Sequence, residues 1–292
     1  MSDWRVIEPL DAADAVDCFA DVGDARLHYQ EVGPPGAPPL ILLHGGGPGA
    51  TAWNNFLYNA RALSTRHRCY FVNLPHYGKS SMEPLSGPLF AGHARRIEAF
   101  MDALGIVSAH FVNQSFGSGV AIALAVHRPD RVRSLVLLGG QPILGGVVAP
   151  IAAFTKRARS IVSDYYLADG GPSLDKMHRL IADLEFRDDT RLTELNVRLR
   201  YEASLDPAMA RLAATPGASG NWDSLIGDFA AVKARSLILW GAYDWFGGPD
   251  VALLMLNQFA DARLHIVGDA AHHLQTEQPE EFNRVLLPFL EA

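Results

Sequence analysis

The stretch HFVNQSFGSGV, residues 110–120, sets Ser115 between a short apolar run and the small residues that open a helical pattern. A serine hydroxyl becomes a nucleophile only when a base takes its proton, and the base works only when an acid orients it. Both partners follow downstream. Asp244 lies in LILWGAYDWF, just past a buried-strand pattern, and His272 lies in HIVGDAAHHLQTEQPEEF, in the loop after the last strand pattern, with His273 beside it as a rival base. Such serines usually occupy a G-x-S-x-G turn between strand and helix. Here Asn113 stands in place of the first glycine. A plain helix N-cap is the bland alternative for Ser115.

Addition of a nucleophile to a carbonyl also needs N–H donors aimed at the developing oxyanion. LLHGGGPGATAW follows another strand pattern, and glycines there let the main chain approach a ligand with no Cβ in the way. Gly45 and Gly46, together with Phe116 immediately after the serine, are the candidate oxyanion donors. A phosphate loop is the weaker reading, because the run lacks both G-K-[ST] and G-x-G-x-x-G spacing.

The elements that must position these groups are short apolar runs at 26–32, 39–44, 68–74, 109–114, 132–139, 235–241 and 262–268. Most are continuously apolar, as in strands covered on both faces. Helical patterns such as HARRIEAFMDALG (93–105) and VALLMLNQFA (251–260) separate them, which predicts an α/β fold with a mostly parallel, doubly wound sheet. The alternation breaks between about 143 and 220, where SLDKMHRLIADLEF and RLTELNVRLRYEAS read as amphipathic helices. The expected division is a core of 1–142, an inserted helical cap of 143–220, and the rest of the core at 221–292.

Half the 292 residues are apolar (49%), enough for one large core, and the formal net charge of −7 argues against nucleic acid or an anionic membrane as partner. Cys18 and Cys69 fit no disulfide framework and no zinc-ligand spacing, so no metal is implied and a reducing cytoplasm is expected. No targeting segment or membrane span is evident. A small molecule is the expected partner, and assembly into a homo-oligomer stays open.

The order Ser115, Asp244, His272 is that of α/β-hydrolases. With LLHGGGPGATAWNNF, YGKS, ALGIVSAHFV, PDRVRSLVLLGG and EFNRVLLPFL, the chain resembles the meta-cleavage product hydrolases of that fold, from RLHYQEVG to EEFNRVLLPFL. The resemblance implies a hydrolase without cofactor that cleaves a carbon–carbon bond in vinylogous diketo acids from aromatic ring fission. It implies that Asn55 and Gln114 hydrogen-bond the substrate and that a cap arginine binds its carboxylate. Arg200 is the better match to that arginine and Arg198 the other register. The family's spacing from base to Glu-x-Pro fits His272, so the resemblance implies His272 as the base and His273 as a pocket residue. Against the family pattern, Asn113 replaces the elbow glycine, Asn73 and His76 replace Asp and Gly, Gln114 replaces Asn, and His273 replaces Trp. A carboxylesterase or lactonase with the same triad is the second reading, and a ligand-binding module with a vestigial triad the third.

Overall fold

The computed structural model describes residues 7–139, 164–215, 217, 219–221 and 223–292. Its centre is an eight-stranded sheet in the order β1-β2-β4-β3-β6-β7-β9-β10, formed by β1 (Val16–Asp21), β2 (Arg26–Val32), β3 (Pro39–Leu43), β4 (Arg68–Val72), β6 (Ala109–Gln114), β7 (Val132–Leu138), β9 (Arg235–Gly241) and β10 (Ala262–Val267). β2 runs antiparallel to both β1 and β4, and the remaining pairs are parallel. All seven predicted strands are present. The addition is β1, an edge strand whose mostly exposed VDCFAD lacks an apolar run.

Successive residues of the central strands point to opposite faces. Ile41, Leu43, Phe111, Leu135, Leu137 and Ile238 join one apolar core with the helices Leu89–Ala103 and Phe116–His127. Their neighbours Leu40, Leu42, Val112, Val136, Leu138 and Leu237 join a second core that includes the C-terminal helix Pro279–Glu291. Covering both faces explains why these strands read as unbroken apolar runs.

Between β7 and β9 lie helices Leu174–Leu184, Glu194–Ala203 and Pro207–Ala214. Ser173 and Thr193 cap the first two, each hydroxyl accepting a backbone N–H three residues on. Tyr165, Met177, Leu180, Ile181, Leu184 and Val197 give this insertion its own apolar cluster. The boundary expected at 142/143 lies outside the described residues. That expected at 220/221 falls within a three-residue strand, β8 (Ser219–Asn221), which pairs with β5 (Leu85–Pro88) in a separate two-stranded sheet.

The end of β9 packs directly on the loop that follows β10. A Cβ on Gly241 would stand 2.1 Å from the Ala271 carbonyl oxygen and 2.6 Å from that of Ala270, both backbone atoms. Gly241→Ala should therefore cost about 1–3 kcal/mol, the range for overpacking a tight interior. The check is the urea midpoint, which should fall; an unchanged midpoint would show that the loop yields freely.

Candidate active site

β6 ends at Gln114 and the helix Phe116–His127 begins with one residue between them, so the whole reversal falls on Ser115, at φ 48° and ψ −110°. Three hydrogen bonds fix the turn: Ser115 N–H to the Leu138 carbonyl (2.8 Å), Gly117 N–H to that of His44 (3.0 Å), and the Ser118 hydroxyl to that of Asn113 (2.9 Å). Asn113, where glycine is usual, does not take a positive φ. It continues β6 in register with Leu43 and Leu137, and its buried amide donates to the Val136 carbonyl at 3.1 Å. The substitution is absorbed by the strand, and the elbow survives it.

Asp244 and His272 come from the loops after β9 and β10, at the same carboxyl edge of the sheet as Ser115. His272 Nδ1 donates to Asp244 Oδ2 at 2.8 Å, while the other carboxylate oxygen accepts the Phe246 N–H at 2.9 Å. Both side chains are buried, and the Phe246 ring lies 4.2 Å from the imidazole, centroid to centroid. Gly139, at the end of β7, has φ 49°, and a Cβ there would stand 2.9 Å from both Asp244 Oδ2 and His272 Nδ1. Only glycine fits beside this pair.

The glycine run closes the other side. A Cβ on Gly46 would lie 3.7 Å from the Tyr77 hydroxyl and 3.8 Å from Phe116 Cβ, so the Gly46 and Phe116 backbones are neighbours. Phe116 opens its helix, where N–H groups lack an intrahelical acceptor. Gly45 differs from what the sequence suggested: its N–H is already donated to Asn55 Oδ1 at 2.9 Å. Asn55 in turn receives nothing from solvent, being 1% exposed, and its amide donates to Asn54 at 3.1 Å. Asn55 therefore shapes the glycine run. Gln114 lies against Gly45 so closely that a Cβ there would overlap its Oε1, and its Nε2 donates to the His272 carbonyl at 3.3 Å. Gln114 Oε1 has no hydrogen-bond partner among the described residues.

Of the two cap arginines, Arg198 is exposed and Arg200 is 1% exposed. Arg200 forms an ion pair with the buried Glu185 and donates through Nη2 to the Pro48 carbonyl at 3.1 Å. Burial alone would raise the Glu185 carboxyl; the charge of Arg200 and its hydrogen bond outweigh it and hold the group below its ordinary value. His273 is buried on the same carboxylate, with Nε2 3.4 Å from Glu185 Oε2 and its backbone N–H donating to the Glu185 carbonyl at 3.1 Å. Glu277, the Glu of Glu-x-Pro, accepts the Ala271 N–H on one oxygen and the Arg187 and Asp188 N–H groups on the other (2.6, 2.6 and 3.2 Å). Among the described residues, no three His, Cys, Asp or Glu side chains are grouped to hold a metal ion.

Residues 38–279 match the alpha/beta hydrolase fold family. A 2-hydroxy-6-oxononadienedioate/2-hydroxy-6-oxononatrienedioate hydrolase of Burkholderia vietnamiensis is 32% identical over 94% of each chain. A 2-hydroxy-6-oxo-6-phenylhexa-2,4-dienoate hydrolase of Comamonas testosteroni is 30% identical, over 92% of this chain and 93% of that one. The solved meta-cleavage product hydrolase from Pseudomonas fluorescens IP01 superposes with a TM-score of 0.78 at 27% identity, covering 94% and 97% of the two chains. The chain belongs to the α/β-hydrolase fold family, among its meta-cleavage product hydrolases.

Two residues of this α/β-hydrolase escaped the sequence reading, Glu185 and the anchoring role of Glu277. Glu185 had a signal: it follows Ile181 by four residues and so falls in the register of the buried stripe Met177, Leu180, Ile181, Leu184. His44, which follows β3, donates through Nδ1 to the Gly45 carbonyl (2.7 Å) and accepts the Leu74 N–H on Nε2 (3.0 Å).

Burial holds three imidazoles around the site neutral: His44 falls to about 4, and His93 and His273 to about 3. The charge of Arg200 assists at His44 and His273, and that of Arg96 at His93. An unfolded chain protonates all three near pH 6.5, so as pH falls the unfolded state binds protons that the folded state refuses. Stability should be full above about pH 6.5 and decline steadily toward about pH 3. Thermal midpoints measured across that range test it, and a flat profile down to pH 4 would contradict the buried neutral state.

Proposed function

We propose that this chain is a serine hydrolase that cleaves a carbon–carbon bond in a vinylogous diketo acid of the 2-hydroxy-6-oxo-hexa-2,4-dienoate type. The observation that carries the proposal is the Ser115 elbow facing the sheet edge that bears the Asp244–His272 hydrogen bond. Relatives similar over more than nine-tenths of the chain, and named for hydrolysis of such dienoates, support the substrate class.

In this reading the dienol is first ketonised, which makes the carbon fragment a stabilised leaving group. Ser115, or a water in its place, then adds to the keto carbon while His272 takes the proton, with Asp244 fixing the imidazole tautomer and the charge that develops on it. The N–H groups of Gly46 and Phe116 receive the oxyanion. Collapse of the tetrahedral adduct breaks the carbon–carbon bond, and His272 returns a proton to the departing carbon; where Ser115 was the nucleophile, a water activated by His272 then cleaves the acyl–Ser115 ester, releasing the acid and restoring the hydroxyl. Gln114, tied to the His272 carbonyl, Arg200 from the insertion and His273 from the loop after β10 line the substrate side. The two cysteines are unpaired, Cys18 half-buried and Cys69 buried, and no described helix is long and apolar enough to cross a membrane. The unpaired thiols support a reducing, cytoplasmic setting, and the relatives named for dienoate hydrolysis support a small-molecule substrate.

One observation favours the esterase reading as runner-up: the guanidinium meant for a carboxylate is already paired with Glu185. A turnover screen separates the two, following loss of dienolate absorbance for diketo acids and phenol release from aryl esters. Ser115→Ala should keep the fold and lower turnover of the preferred substrate by roughly 10⁴-fold or more, as removal of a triad nucleophile does. Retained activity on every substrate would remove Ser115 from the mechanism, and turnover of aryl esters alone would transfer the proposal to the esterase.

A further inference from the structure

The cation placed to meet a substrate carboxylate is not a free cation. Arg200 is 1% exposed and Glu185 4%, and the two form a direct ion pair. Nη2 of Arg200 is used by the Pro48 carbonyl, and Nε has no partner among the described residues. The pair lies against the glycine run: a Cβ on Gly47 would be 3.4 Å from Arg200 Nη2 and 3.9 Å from Glu185 Oε1. His273, the third member, is buried and adds no charge at neutral pH. The cluster is therefore neutral as a whole. A second carboxylate brought to Arg200 would meet Glu185 as a like charge where solvent screening is weak.

We propose that Glu185 is a specificity-determining residue: it compensates Arg200, so that the arginine offers its Nε–H to one acceptor oxygen of the substrate and the substrate's negative charge gains no net attraction there. The proposal rests on the carbon–carbon hydrolase reading for the course of the substrate past Arg200. It narrows that reading to substrates recognised by shape and by a single acceptor oxygen. Arginine with both edges open would instead favour a bidentate carboxylate. The resident carboxylate removes that preference.

The test is direct binding, so it stands whether or not dienoates are consumed. Calorimetric titrations compare cinnamate with cinnamamide, ligands of nearly the same shape that differ in charge, against wild type and Glu185→Gln. Wild type should bind the two within about threefold, and Glu185→Gln, checked for folding by its melting curve, should shift the ratio toward the acid by roughly tenfold or more, a scale set by like-charge repulsion at desolvated contacts. A wild type that prefers cinnamate by more than about tenfold overturns the proposal on that measurement alone, even if the variant does not fold. An acid-to-amide ratio unchanged in Glu185→Gln overturns it as well, by reducing Glu185 to a structural partner of Arg200, and so does binding of neither ligand. Failure of the carbon–carbon hydrolase reading shows separately, as absence of dienoate consumption by wild type.

Discussion

A serine backbone held at φ 48° and ψ −110° is the constraint on which the rest of the molecule depends. Such a conformation costs a non-glycine residue of order 1–3 kcal/mol and persists only where its surroundings over-determine it. Here they do. The turn is bonded on one side to β7 through Leu138 and on the other to the end of β3 through His44, and both strands are sealed between two apolar cores. A Cβ on Gly117 would come within 2.7 Å of Leu43 and of the His44 carbonyl, so the helix that starts at the elbow can sit this close only without one. Relaxing Ser115 would mean unpacking the centre of the sheet, and the exposed end of that bargain is a hydroxyl at the sheet's carboxyl edge, where loops after β9 and β10 deliver Asp244 and His272.

Much of this was legible in the sequence because double-sided burial leaves a continuous apolar signature. The seven predicted strands follow from it. β1 was illegible for the opposite reason: as an edge strand with one buried residue, Ala20, it had no apolar run to show. The departures at Asn113, Asn73 and His76 could be named but not interpreted from sequence. Asn113 and Asn73 prove to be buried and hydrogen-bonded, the latter accepting the Ala52 N–H at 2.9 Å, while His76 takes φ 73° where glycine is usual. The glycine run was legible but the separate hydrogen bonds of its N–H groups were not, since the bond from Gly45 to Asn55 depends on how the short helix Ala52–Phe56 folds back.

The helical insertion was the least legible region. Its helices announce themselves by period, yet which polar residue turns inward depends on what the insertion meets. Arg198 and Arg200 were separated only by packing, and Glu185 reads in isolation as an ordinary charge near a helix end. Buried charges of opposite sign gain from each other only when both are present and well bonded, and loss of one partner leaves the other stranded at a cost of about 3–5 kcal/mol. Arg200, Glu185 and His273 therefore form a unit whose members are chemically meaningful only together.

Glu277 ties the helical insertion to the loop that carries His272. One oxygen of its carboxylate grips the peptide just ahead of His272, and the other grips the chain at Arg187 and Asp188, where the insertion's first described long helix has just ended. A second strap, from the His273 N–H to the Glu185 carbonyl, runs parallel to it. The insertion and the loop that carries the His272 imidazole are thus riveted at the same spot. Displacing the insertion there would strain the loop that carries His272, so the position of the one and the aim of the other are mechanically coupled.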